Sequence, residues 1–75
     1  MDRIPTALEL FRLAQAMRSA AGTVTNRALE EEMRVAAVQL QGFAAAWPIP
    51  RDAAHRYAEA WKLLRGADAT AVDER

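Results

Sequence analysis

Large apolar residues recur at three- and four-residue intervals through most of this 75-residue chain, and no stretch alternates apolar with polar. That period predicts helices and no strands. In a first helix, from about Pro5 to Ala21, one stripe holds Leu10, Leu13, Ala14, Met17, Ala20 and Ala21. Ile4, Leu8 and Phe11 form a second patch on nearly the opposite side of its first half. A second helix, from about Asn26 to Ala46, has a heptad-like seam at Leu29, Met33, Ala36, Leu40, Phe43 and Trp47. About half a turn away run Ala28, Val35, Val38, Gly42 and Ala45. A third helix, from about Arg51 to Arg65, puts Ala53, Ala54, Tyr57, Ala60, Trp61 and Leu64 on one side. His55, Glu59 and Lys62 lie opposite, with Asp52–Arg56 and His55–Glu59 at i,i+4 spacing.

The breaks are set by residues that helices tolerate badly. Pro5 suits a first helical turn, where its missing N–H would be unpaired in any case, and Gly22 suits a left-handed end. Thr25 or Asn26 can cap the second helix with a side-chain oxygen. Pro48 and Pro50 stop it near Trp47. Gly66 reads as the end of the third helix, leaving a domain over 1–66 and a flexible tail over 67–75. The corner Trp47-Pro48-Ile49-Pro50 reads as a plug, with Trp47 folded against Trp61 and Tyr57.

The predicted fold is all-α: a compact three-helix bundle completed by self-association. A helix apolar on two opposite sides is usually buried between neighbours, so the second helix is expected at the centre. Three helices of this length cannot easily cover both its faces and the Ile4/Leu8/Phe11 patch. A single core below about 70–80 residues also rarely supplies more than ~3–5 kcal/mol. A second copy or a permanent protein partner answers both difficulties. The residues expected at that interface are Ile4, Leu8, Phe11, Val35, Val38, Gly42 and Trp47.

Composition sharpens this reading. The chain is 52% hydrophobic, too apolar for a disordered segment, yet eighteen residues are alanine. Ten basic and ten acidic side chains give a formal charge of zero, without the strong field of a dedicated nucleic-acid binder or an acidic mimic of one. With no cysteine, neither disulfides nor thiolate metal sites can staple the fold. No apolar run reaches the ~7–15 residues of a secretory signal or the ~18 of a membrane span. The expectation is a cytoplasmic protein with no membrane partner. Nine arginines against one lysine, Lys62, point to a GC-rich bacterial coding sequence.

Candidate chemistry is thin. The single histidine, His55, falls on a polar helix side, with no pocket or partner to make it a base. Glu30-Glu31-Glu32 are consecutive on a helix and point about 100 degrees apart, so they cannot converge on one metal. They suit a first turn, where the macrodipole favours negative charge. No Glu-x-x-His, phosphate loop or nucleophile elbow occurs. The reading is a non-enzymatic protein with no catalytic residues, no cofactor and no metal.

One string has an outside likeness. Ser19-Ala20-Ala21-Gly22-Thr23-Val24-Thr25-Asn26-Arg27 resembles the turn and recognition-helix start of helix-turn-helix regulators of the MarR type. The resemblance covers about nine residues, lacks a following β-wing, and runs into three glutamates that would face phosphates. It implies DNA contact by Thr23, Thr25, Asn26 and Arg27. The leading reading is therefore an interaction module, probed first as a homodimer; DNA binding is the alternative.

Overall fold

A computed structural model describes the backbone over residues 3–46 and 48–73, and side chains as far as Gly66 with Trp47 left out. The described residues form three helices, α1 (Ala7–Ala21), α2 (Arg27–Ala45) and α3 (Asp52–Asp73), and no strand. The all-α reading holds. Trp47, and with it the expected corner plug and interface role, lies outside the described residues.

Helix α1 begins two residues later than the proline predicted. Thr6 is its N-cap: the Thr6 Oγ1 accepts from the Glu9 N–H at 3.1 Å, and a Glu9 carboxylate oxygen accepts from the Thr6 N–H at 2.9 Å. This reciprocal capping box satisfies donors that Pro5 cannot help. Pro5 sits one residue outside the cap and is buried, as is Leu10 one turn in. Those are the two positions at which an apolar pair fixes the entry of a chain into a helix.

Gly22 corrects a second expectation. It has φ −69° and ψ −16°, a right-handed conformation open to any residue. The last turn instead tightens, with Gly22 N–H donating to Ser19 O at 3.3 Å and Thr23 N–H to Ala20 O at 3.0 Å. The Thr23 hydroxyl also donates to Ala20 O at 2.8 Å, so a threonine closes the helix. Across the turn Asn26 is the cap, its Oδ1 accepting from Leu29 N–H at 3.2 Å.

The third correction concerns Gly66. The helix does not stop there but runs to Asp73. No proline follows Gly66, and its alanine-rich flank, Ala67 to Ala71, has high helix propensity. One interior glycine costs a helix only about 1 kcal/mol relative to alanine. The helix continues through it.

The first turns of α1 lie beside the last turns of α2, so the two run antiparallel, and α3 packs across both. The core holds Leu10, Leu13, Ala14, Met17 and Ala21 of α1, Met33, Ala37 and Leu40 of α2, and Ala53 and Ala60 of α3. The predicted α1 stripe is thus the buried one, with Ala20 half-buried at its edge. On α2 the seam turns slightly: Ala37 is buried, while Leu29, Ala36 and Phe43 are half-buried against the core. Val24 and Ile49 anchor the two connections on the same core. Half of the ten buried residues are alanine, and no polar side chain is buried among the described residues. The core is small.

Helix α2 is not enclosed on two sides within one chain. Its second stripe, Ala28, Val35, Val38, Gly42 and Ala45, is exposed throughout. The sequence pattern is there, but only one of its faces finds a neighbour.

Candidate interaction surface

The exposed apolar residues fall on two sides of α2. On one side a hollow of 550 Å³ is lined by Ala7, Leu8 and Phe11 of α1 and by Gln41, Ala44 and Ala45 of α2. Leu8 is 58% exposed and Phe11 43%, so the hollow is an open apolar surface. At its rim the Arg18 guanidinium donates to the Gln41 side-chain oxygen, tying the two helices together. Val38 and Gly42 are exposed on α2, about two turns and one turn before Ala45. Val38 is 63% exposed, the highest value among the large apolar residues. A Cβ on Gly42 would meet nothing within 4 Å. Leu8, Phe11 and Ala45 line the hollow, and Val38 and Gly42 continue the apolar stripe of α2 beyond it, with Arg18 at the rim.

On the other side a groove of 650 Å³ separates α2 from α3. Its apolar lining is Ala28, Val35, Ala36, Ala60 and Leu63, of which Ala60 is buried and Val35 is 52% exposed, and its polar lining is Glu31, Glu32, Gln39, Arg56 and Glu59. Val35, expected with Val38, belongs here. Ile4 is 43% exposed and lines neither depression. This groove was not foreseen, because only packing shows that Leu63 and Ala60 stand opposite Val35 and Ala36.

The charged residues are mostly spoken for. Arg3 donates to both Glu9 carboxylate oxygens, at 2.8 and 2.5 Å, outside the capping box. That bond, with the Thr6 N–H, pulls the Glu9 carboxyl down to about 2, and the same pairing raises Arg3. Arg34 pairs with Glu30 at 2.9 Å. His55 approaches Glu59 at 3.5 Å, as the spacing predicted, while Arg56 turns to Glu59 at 4.0 Å rather than to Asp52. His55 is on the open side of α3, away from both depressions. Among the described residues no three His, Asp or Glu side chains gather as a metal site.

The segment that resembles a DNA-reading turn spends its polar side chains on the backbone. Thr23 closes α1 and Asn26 caps α2. Arg27 is exposed beside Glu30, Glu31 and Arg34, in a cluster with as many acids as bases. Such a cluster presents no net positive field to phosphates. Thr25 is exposed at the same turn.

Compared with family models, curated proteins and solved structures, the chain matches none of them. Among the described residues no helix is long and apolar enough to cross a membrane.

Proposed function

We propose that this chain is a small, non-enzymatic protein–protein interaction module that pairs with a second copy of itself and serves as an adaptor, regulator or inhibitor. One observation carries the reading. Among the described residues six large apolar side chains (Ile4, Leu8, Phe11, Val35, Val38 and Trp61) are exposed, while the hydrophobic core holds five residues larger than alanine, Leu10, Leu13, Met17, Met33 and Leu40.

The occupant is a second copy because the large exposed residues of this face are apolar and the chain has no net charge, and a two-fold contact sets such a patch against itself. Gly42 lets a second helix approach closely. Glycine in the last turn of a helix, on its exposed side and with open space about it, makes no contact that calls for it within one chain. The excess of arginine over lysine is in keeping with a bacterial source.

The reading is tested by light scattering on a Leu8→Asp, Phe11→Asp double variant beside His55→Ala. Both altered leucine and phenylalanine positions are exposed, so the fold should persist while the dimer is lost. His55→Ala should remain dimeric. A double variant as dimeric as the natural chain rules this face out.

A further inference from the structure

Two glutamates that form no ion pair among the described residues, Glu31 and Glu32, stand at the same place, Glu31 with Arg27 and Arg34 on its other side. Glu9 is held by Arg3, Glu30 by Arg34, and Glu59 by His55 and Arg56. Glu31 and Glu32 have no ion pair or hydrogen bond through their carboxylates among the described residues. Both line the groove between α2 and α3. With Glu59 and a single Arg56, the polar lining is acidic on a chain whose overall charge is zero.

The apolar lining is built from small side chains: Ala28, Ala36 and Ala60, flanked by Val35 and Leu63. Along α2 the lining runs from Ala28 to Gln39, about 16 Å at the helical rise. Its residues recur at three and four positions on both helices, so the groove is a furrow between two rows of ridges. The object that fits such a furrow is another helix. Alanines in the groove let its axis come near, and Val35 and Leu63 would flank its apolar stripe.

From these features we infer that the α2/α3 groove is a docking site for a basic amphipathic helix of a partner protein. Its apolar stripe lies on Ala28, Ala36 and Ala60, and Lys or Arg residues on its flanks meet Glu31 and Glu32. Docking there converts three helices into a four-helix arrangement. An acidic helix would set like charges along the polar lining, and an extended basic peptide would leave the apolar lining uncovered. No residue lines both this groove and the hollow assigned to self-association.

The test uses the full chain and a labelled helical peptide of about 18 residues, with leucines and alanines on one face and lysines on its flanks. Fluorescence anisotropy reads affinity, and amide chemical shifts map the site. Saturable binding is expected, weakening with salt, with shifts centred on Ala28, Val35, Ala60 and Leu63. Glu31→Gln with Glu32→Gln, both exposed and neutral to the fold, should lower affinity about three- to tenfold. A peptide of the same composition, scrambled to destroy its apolar face, should not bind. Equal binding by the scrambled peptide or by the double variant would overturn the inference. So would shifts confined to Leu8 and Phe11, no binding at low salt, or groove shifts that follow protein concentration without peptide, the sign of a second copy in the groove.

Discussion

Leu8, in the first turn of α1, and Ala45, in the last turn of α2, line one hollow. Through that contact an apolar patch on one helix and an apolar stripe on another become a single exposed face. Neither feature alone would distinguish an interface from scattered surface apolars, which folded proteins tolerate. Together with Phe11, Val38 and Gly42 they form the kind of continuous patch that marks a contact site.

Gly42 gives that face a two-sided test. It lies inside α2, exposed, with open space where a Cβ would go. Within one chain, Gly42→Ala should raise helix stability by about 0.5–1 kcal/mol. Gly42→Leu should leave the monomer folded but push the second copy away, raising the dimer dissociation constant. Concentration-dependent thermal melts separate the two effects. If Gly42→Leu pairs as well as the natural chain, α2 does not meet its copy at this point.

Gly66 tests where α3 ends. A Cβ there meets nothing within 4 Å, and the helix runs on to Asp73. Gly66→Ala should therefore stabilise the protein by about 0.5–1 kcal/mol. Were the helix to close at Gly66 in a left-handed conformation, the same change would destabilise it. The sign of the shift in melting temperature decides between them.

The core leaves little reserve. Met33 and Leu40 of α2 are fully buried, and both buried residues of α3 and two of the five of α1 are alanines. Met33→Ala or Leu40→Ala should cost about 2–5 kcal/mol. That is comparable to all that a core of this size supplies, so either variant should be largely unfolded by circular dichroism at room temperature. A cooperative melt close to that of the natural chain would mean the core is larger than described.

Thr6 and Glu9 make the start of α1 sensitive to acid. Thr6→Ala should cost about 1 kcal/mol, or roughly 4–8 °C in melting temperature for a domain of this size. Glu9 is ionised down to about 2 in the folded protein, below its ordinary 4.5, because Arg3 and the Thr6 N–H hold its charged form. A depressed carboxyl contributes stability that is complete above 4.5 and lost as pH falls toward 2. Arg3→Ala removes the larger cause, so its melting temperature should fall less steeply over that interval. Parallel acid limbs for the two proteins would show that the pair adds nothing.

What the sequence discloses follows from how local each signal is. The α1 stripe from Leu10 to Ala21 was legible because three- and four-residue spacing alone decides which side of a helix is buried. The stop before Pro48 was legible for an equally local reason. The Thr6-to-Glu9 capping box was also present, but Pro5 gave a competing start signal one residue earlier. Gly22 and Gly66 misled, since glycine permits a left-handed end without requiring one, and alanines beyond Gly66 carry the helix forward. The second stripe of α2 was visible, but not its division. Ala45 joins Leu8 on one side, and Val35 joins Leu63 on the other, only once the register between helices is known.

Sedimentation equilibrium over a series of micromolar concentrations addresses self-association most directly. The chain has a mass of 8.3 kDa, and the natural protein should sediment at twice that value, dissociating on dilution. Val38→Glu, at the most exposed large apolar position, should sediment at the mass of one chain while keeping its helical spectrum. A natural protein that stays at 8.3 kDa throughout, and binds no apolar dye, would contradict pairing through this face.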